Sequence, residues 1–177
     1  MILDKIVIDF FTNARTDFLT VIMKTFSFIG SFYGISVIIL LFYILKKNNV
    51  SKLLLKHTII ITILNNILKF IFQRERPPFP MVKENSFSFP SGHSMIGTFV
   101  FGFLVIYIMR NNKLSKLQKI IISVICSFIC VGIILSRLYL GVHYFTDVLA
   151  GALLSLLYLI SIHEKIKLKD FCYKKSI

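Results

Sequence analysis

Three short blocks of the sequence combine basic, imidazole and carboxylate side chains in a pattern that suits phosphate chemistry. They are Lys69-x6-Arg76-Pro77, Pro90-Ser91-Gly92-His93 and Ser136-Arg137-x5-His143-x3-Asp147. Each block lies near the end of an apolar segment, and ionisable side chains at membrane depth are functional candidates because burying them in lipid is costly. Together the blocks indicate a site that binds a phosphate group and attacks it with a histidine.

The cations of the first and third blocks are suited to holding phosphate oxygens. Lys69 and Arg76 are seven residues apart, so they share a helical face if the second apolar segment continues that far. Pro77 disfavours helix at Arg76, and we expect the helix to end there. Snorkelling of both side chains to anionic lipid is an equal alternative. Arg137 ends the fourth apolar segment, and its planar guanidinium matches phosphate geometry.

The second block predicts an anion-binding helix start. Proline is favoured in the first helical turn, and Gly92 allows a close approach of the backbone to a ligand. The free amides and the helix dipole then attract an anion. Ser91 adds a hydroxyl donor, and His93 is placed to donate a proton. A plain helix cap is the alternative interpretation.

His143 and Asp147 are four residues apart at the predicted start of the fifth segment, so we expect them to share a helical face. A carboxylate on one imidazole nitrogen orients the ring and raises the basicity of the other nitrogen, as a nucleophilic histidine requires. A surface hydrogen bond is the alternative. His57 and His163 lie near the ends of their segments that are distant from the three blocks, and we expect no catalytic role for them.

The composition indicates an all-α, polytopic membrane protein of one domain, residues 1–177. Of its residues, 56% are hydrophobic and only 16% are charged, whereas soluble domains carry about 25% charged residues. Residues 1–28 are ambiguous, either an interfacial helix or part of a sixth span, and residues 163–177 form a basic tail. Five segments are long enough, or nearly so, to cross a bilayer: Phe26–Leu45, Leu53–Phe72, Ser94–Met109, Leu117–Leu135 and Tyr144–Ile162.

The positions of the basic residues predict which side of the membrane each end of the bundle faces. Three clusters fall on one side of an alternating topology, which we expect to be cytoplasmic: Lys46, Lys47, Lys52 and Lys56; Arg110, Lys113, Lys116 and Lys119; and Lys165, Lys167, Lys169, Lys174 and Lys175. Contact with anionic lipid explains them better than nucleic-acid binding does. The opposite side receives Lys69, Arg74, Arg76, Lys83 and Arg137, together with all three blocks.

Jointly, the three blocks resemble the signature of the type 2 phosphatidate phosphatase family, which includes lipid phosphatases and vanadium haloperoxidases. The match runs in order from Lys69 to Asp147, with no departure at a signature position. The resemblance implies that His143 attacks phosphorus, that Asp147 activates His143 and that His93 protonates the leaving oxygen. The residues implied to hold the phosphoryl group are Lys69, Arg76, Ser91, Gly92 and Arg137.

The expected function is therefore hydrolysis of a membrane lipid phosphate or diphosphate through a phosphohistidine, on the extracytoplasmic face of a cytoplasmic membrane. The implied substrates are phosphatidylglycerol phosphate, phosphatidate, undecaprenyl diphosphate or a lipid A phosphate. No metal or other cofactor is implied, since several cations around two histidines and one aspartate would oppose a divalent ion. A vanadate-dependent haloperoxidase and a non-catalytic lipid-binding or transport protein remain alternatives.

Overall fold

The computed structural model describes residues 2–45 and 47–163, and these residues form helices joined by turns and one long loop. In chain order the helices are α1 Ile2–Asn13, α2 Asp17–Ile29, α3 Phe32–Ile44, α4 Asn48–Phe72, α5 Gly92–Arg110, α6 Lys116–Tyr139 and α7 Phe145–His163. The all-α prediction is confirmed. Lys46 and all of the predicted basic tail beyond His163 lie outside the described residues.

Helix α5 lies at the centre of the bundle and packs against α4, α6 and α7. Its side chains Phe99 and Phe103 are enclosed in the core together with Ile61 of α4 and Ile133 of α6. A helix that is apolar on nearly all sides is expected in such a central position. Packing on several sides fixes the first turn of α5, which carries part of the second sequence block.

Four helices, α4 to α7, are each long and apolar enough to cross a membrane. The pair α2 and α3 meets the same test only as a broken span, with a bend of 55° between its halves. The prediction of one continuous first span over 26–45 is therefore wrong. Ser31 ends the first half, because its hydroxyl donates to Phe28 O (2.7 Å) and accepts the amide of Gly34 (3.3 Å), which caps a new helix.

The outward faces of these helices carry large apolar side chains. On α4 these include Ile63, Ile67 and Phe70, and on α6 they include Val124 and Phe128. Such a surface is stable in hydrocarbon, and the helices satisfy their own backbone hydrogen bonds there. The chain is a multi-pass membrane protein, and its described residues offer four candidate spans, or five if the bent pair counts as one.

The N-terminal helix α1 has 12 residues and is too short to cross a bilayer. It lies at the end of the bundle where α6 ends and α7 begins. Asp4 accepts the amide of Thr146 (3.1 Å) at the start of α7, and the Thr16 amide after α1 donates to Tyr139 Oη (3.0 Å). The ambiguous N-terminal region therefore forms one helix at this end of the bundle and the first half of the bent pair.

The two ends of the bundle differ in charge. One end collects the start of α4, the α5–α6 turn and the end of α7, where Arg110 Nη2 lies 2.9 Å from His163 Nε2. The described basic residues of the predicted cytoplasmic clusters lie at this end: Lys47, Lys52, Lys56, Arg110, Lys113, Lys116 and Lys119. The other end carries α1, the 73–91 loop and the 140–144 turn.

Candidate active site

The predicted site residues come from helix ends, one loop and one turn, and they meet at the end of the bundle that carries α1. Their positions are the last turn of α4 (Lys69), the α4–α5 loop (Arg76), the start of α5 (Ser91, Gly92 and His93), the last turn of α6 (Arg137), the α6–α7 turn (His143) and the first turn of α7 (Asp147).

Helix α4 does not continue as far as Arg76, so the condition under which Lys69 and Arg76 would share a helical face is not met. Helix α4 ends at Phe72, because Gln73 adopts the left-handed conformation (φ 44°) and the chain turns away. The loop instead brings the two cations together. Lys69 Nζ donates to the carbonyl oxygen of Phe87, and Arg76 Nη2 lies 3.4 Å from that same oxygen.

His143 and Asp147 also do not share a helical face, since α7 begins at Phe145 and His143 lies in the preceding turn. His143 Nδ1 is 3.6 Å from Asp147 Oδ2, too long for a direct hydrogen bond. Ser88 lies between them: its Oγ is 3.4 Å from His143 Nδ1 and donates to Asp147 Oδ2. The carboxylate therefore orients the imidazole partly through a serine hydroxyl.

The surroundings of the His143 ring favour one tautomer. Arg76 Nη1 lies 3.4 Å from His143 Nε2 and also donates to Val142 O at 2.8 Å. A guanidinium can only donate hydrogen bonds, so the Nε2 facing it carries a lone pair. The ring proton then resides on Nδ1, toward Ser88 and Asp147. In this tautomer Nε2 carries the lone pair that a nucleophile requires.

Arg137 is a buried cation with one unused donor. Its Nη1 donates to Ser27 Oγ (2.5 Å) and its Nη2 donates to Glu84, while its buried Nε has no partner among the described residues. Glu84 also lies 3.8 Å from Arg76 Nη2, so one carboxylate interacts with both arginines and offsets part of their charge. A buried unpaired donor is unfavourable, and a hydrogen bond to an acceptor such as an anionic oxygen would remove that cost.

The second block forms the start of α5, as predicted. Ser91 caps the helix by accepting the amide of Ser94 (3.4 Å), and its own amide donates to Asp147 O (3.0 Å). Gly92 and His93 belong to the first turn, where amides lack partners within the helix. The His93 ring is half-buried and within electrostatic reach of Arg137 and of the other site cations.

Sequence reasoning missed the residues that hold Asp147 from its other side. Arg74 Nη1 donates to Asp147 Oδ1 (2.5 Å), and its Nη2 donates to Asp4 Oδ2 (2.9 Å). The only signal that the sequence offers for Arg74 is its position on the predicted outer side, where the positive-inside rule disfavours basic residues. For Asp4 the sequence offers only a charged residue within a largely apolar N-terminal stretch. The missed residues of the site region are Asp4, Ser27, Arg74, Glu84 and Ser88.

Burial, together with the nearby cations, keeps the imidazole of His143 neutral. Burial is the main cause that lowers the pKa of His143 to about 4, and Arg137, Arg76 and Lys69 lower it further while Asp147 opposes them. Burial alone would raise the pKa of the Glu84 carboxyl, but Arg137 and Arg76 outweigh burial and hold this pKa below its ordinary value. At neutral pH the site therefore combines a neutral nucleophilic imidazole with an ionised Glu84.

The described residues offer no group of three His, Cys, Asp or Glu side chains that could hold a metal ion. The cations of the site occupy the region where a metal would otherwise supply positive charge. Metal-independent chemistry remains a prediction from the sequence.

Two solved structures are similar to this chain. The crystal structure of a transmembrane PAP2 type phosphatidylglycerolphosphate phosphatase from Bacillus subtilis matches with a TM-score of 0.82 and 31% identity, over 93% of this chain and 86% of that one. The crystal structure of Aquifex aeolicus LpxE matches with a TM-score of 0.73 and 24% identity, over 89% of this chain and 92% of that one, which shows the fold alone.

One curated relative is phosphatidylglycerophosphatase B of Bacillus subtilis (strain 168), 43% identical over 96 residues, or 54% of this chain. The aligned part spans about half (47%) of the length of that relative. The model of the PAP2 superfamily matches residues 52–168, a stretch that contains all three sequence blocks. A match over most of the chain shows the family, and this protein belongs to the PAP2 superfamily.

Proposed function

We propose that this protein is a lipid phosphatase that hydrolyses a membrane lipid phosphate through a phosphohistidine on His143. The observation that carries the proposal is the orientation of His143, whose Nε2 lone pair faces Arg76 while Nδ1 faces Ser88 and Asp147. A phosphoryl group held beside Arg76 would lie next to this lone pair.

The reaction needs two displacements at phosphorus. In the first, neutral His143 forms a bond from Nε2 to phosphorus as the bond to the lipid oxygen breaks. His93 gives that oxygen a proton from its imidazolium form, which the negative charge of the bound phosphoryl group would favour. In the second, His93 takes a proton from water, the water oxygen attacks phosphorus and the bond to Nε2 breaks. The products are the lipid alcohol and inorganic phosphate, and both histidines return to their starting protonation states.

The cations around His143 would stabilise the charge of the transferring group. Lys69, Arg76 and Arg137 approach from three different elements, and the first-turn amides of α5 add further donors. Phosphoryl transfer depends mainly on positioning and charge stabilisation, which fixed donors in a water-poor site supply. The phosphoryl group would displace Glu84 from the two arginines and accept the unused Nε–H of Arg137.

An apolar cavity supports a lipid as the substrate. It has a volume of about 930 Å³ and lies between α5, α6 and α7. Thr98, Ile134 and Ala152 line its wall and lie only three to five residues along their helices from site residues. A lipid whose phosphate occupied the site could place an acyl chain there. Among lipid phosphates, phosphatidylglycerol phosphate is favoured, because it is the substrate named both for the curated Bacillus subtilis match and for the Bacillus subtilis crystal structure.

The site would face the extracytoplasmic side of a cytoplasmic membrane. Support comes from the described lysines and Arg110 at the opposite end of the bundle, since basic residues are retained on the cytoplasmic side. Lipid phosphates exposed in the outer leaflet would then be the accessible substrates. Residues 1–177 would act as one phosphatase domain.

The test is release of inorganic phosphate by the purified protein in detergent from a panel of lipid phosphates and diphosphates, with and without EDTA. We expect activity that survives chelation, is inhibited by vanadate and is lost in His143→Ala. His163→Ala is the matched control, because His163 is exposed at the opposite end of the bundle. Absence of phosphate release from every lipid, or an unchanged rate in His143→Ala, would contradict the proposal.

A further inference from the structure

Asp4 is a buried carboxylate in the N-terminal helix, outside the stretch of 52–168 that matches the PAP2 superfamily. Only 2% of its surface is exposed. Its Oδ1 accepts the backbone amide and the hydroxyl of Thr146 (both 3.1 Å), and its Oδ2 pairs with Arg74 (2.9 Å). A buried charge is costly unless it is paired and hydrogen-bonded, and both conditions are met here.

Arg74 connects Asp4 to the site. Its guanidinium spans the two carboxylates, with Nη2 on Asp4 and Nη1 on Asp147 (2.5 Å), and Nη1 also donates to the Thr146 hydroxyl (2.7 Å). The guanidinium lies 4.0 Å above the ring of Tyr144, which restricts its position further. These contacts hold the guanidinium of Arg74 in one position beside Asp147.

The contacts of Asp147 divide between its two oxygens. Oδ1 faces Arg74, whereas Oδ2 accepts the Ser88 hydroxyl and the Tyr144 amide and faces His143 Nδ1. A shift of Arg74 would therefore rotate or displace the carboxylate that orients the nucleophile.

We propose that Asp4 is a positioning residue, which fixes Asp147 through Arg74 and thereby orients His143. This inference rests on the function proposed above. It means that the N-terminal helix, which itself crosses no membrane, completes the active site of the bundle.

Asp4 also balances charge near the nucleophile. The charged and titratable groups around His143 are Lys69 from α4, Arg76 and Glu84 from the loop, His93 from α5, Arg137 from α6 and Asp147 from α7. Arg74 contacts this group of residues through Asp147, and Asp4 offsets the charge of Arg74 from the other side. Removing the charge of Asp4 would leave Arg74 paired with Asp147 alone, and the less fully balanced positive charge would disfavour protonation of His143. Removing the charge of Arg74 would have the opposite effect.

The test compares Asp4→Asn, Arg74→Gln and the double variant in the full-length protein in detergent. Asparagine keeps an oxygen that can cap α7, so Asp4→Asn removes mainly the charge that holds Arg74. We expect kcat to fall by roughly 10- to 100-fold with KM little changed, as for a small misplacement of a reacting group. In the double variant the loss should be no greater than in Arg74→Gln alone.

The pH dependence of kcat/KM separates this role from a loss of stability. The acid limb should move to lower pH in Asp4→Asn and to higher pH in Arg74→Gln. Asp9→Asn is the matched control, because Asp9 is exposed on the same helix and should behave as wild type. If Asp4→Asn does not fold, Arg74→Lys serves instead: it keeps the charge, but one ammonium cannot span both carboxylates, and kcat should still fall.

The outcomes distinguish a failure of the role inferred for Asp4 from a failure of the proposed function. Inactive wild-type protein would refute the proposed function. Active wild type, with Asp4→Asn matching Asp9→Asn in kcat and in its acid limb, would refute the inference alone. The same holds if Asp4→Asn lowers only the melting temperature, or if Arg74→Lys, used in its place, retains wild-type kcat.

Discussion

At the residue scale, the candidate site contains a carboxylate where the phosphate of the proposed substrate would bind. Glu84 pairs with Arg137 and approaches Arg76, the two arginines that the sequence assigns to the phosphoryl group. This contact relieves the repulsion between the buried Arg137 and the partly buried Arg76. If a phosphate binds there as proposed, the same carboxylate would become a like charge beside it and oppose its retention.

Substitution of Glu84 tests this competition. Glu84→Gln should strengthen inhibition by inorganic phosphate or vanadate, because one like-charge contact of this kind is worth about 1 kcal/mol or more. The inhibition constant should therefore fall by roughly 5-fold or more. Glu75→Gln, an exposed residue of the same loop, is the control and should leave inhibition unchanged. Weaker inhibition in Glu84→Gln would mean that Glu84 supports anion binding.

The neutral state of His143 gives a prediction for pH. Attack requires the unprotonated ring, and burial together with the site cations lowers the pKa of His143 to about 4. The kcat/KM of the free enzyme should therefore persist well below pH 6.5 and decline only as the pH falls through the lowered pKa. The measurement is kcat/KM against pH, with samples returned to neutral pH to exclude irreversible unfolding. An acid limb at or above pH 6.5 would contradict this expectation.

The three sequence blocks predicted the residues of the candidate site better than the contacts among them. Each predicted residue lies at the same end of the bundle, because consecutive spans run in opposite directions. The blocks fall at the end of one span and at the start of the next. Ser88 and Arg74 could not be assigned roles, since their contacts with Asp147 depend on how a loop of nearly twenty residues folds back. Loop conformation leaves no periodic signal in a sequence.

At the scale of elements, the site depends on how closely α7 approaches the start of α5. The Ser91 amide donates to Asp147 O (3.0 Å), and a Cβ added at Gly151 would lie 2.8 Å from the backbone oxygen of Ser91. Backbone at a packed helix start cannot move aside as a side chain can. A glycine on α7 therefore allows the contact that joins the second and third blocks.

Gly151→Ala should lower both thermal stability and activity, since overpacking of a tight contact costs about 1–3 kcal/mol. Gly102→Ala is a matched control at the same α5–α7 interface, because an added Cβ there meets the end of the Leu159 side chain, which can rotate. The measurements are the melting temperature in detergent and kcat. Equal effects of the two substitutions would show that closeness to the Ser91 backbone is not what matters.

The helices also show where hydropathy is an incomplete guide. Spans α4 to α7 were located to within a few residues, because their apolar runs are long and bounded by charges. The break between α2 and α3 was missed, since Gly30 and Ser31 lie inside an apolar run whose hydropathy does not change there. A Gly-Ser pair is nevertheless a recognised position for a kink, and this was the available signal.

At the scale of the whole molecule, the clusters of basic residues and the candidate site lie at opposite ends of the bundle. The described lysines of the predicted cytoplasmic clusters lie at one end, while the three sequence blocks and α1 lie at the other. One end is thus suited to retention on the cytoplasmic side and the other to phosphate binding. The orientation of the chain therefore decides which leaflet supplies the substrate.

Site-directed labelling tests this orientation in intact cells or spheroplasts. Lys83 lies in the loop at the site end and Lys113 in the α5–α6 turn, and both side chains are exposed. A cysteine replacing Lys83 should react with a membrane-impermeant thiol reagent, whereas a cysteine replacing Lys113 should react only after permeabilisation. The native thiols must first be replaced by serine or alanine, with activity checked: Cys126, Cys130 and Cys172.

The reverse labelling pattern would place the site on the cytoplasmic leaflet and change which lipids can reach it. In that case the cationic site residues, and not the lysine clusters, would lie on the side where basic residues are retained. Phosphate release in detergent would be unaffected, because detergent exposes both ends of the bundle. Labelling therefore tests the sidedness of the enzyme independently of its chemistry.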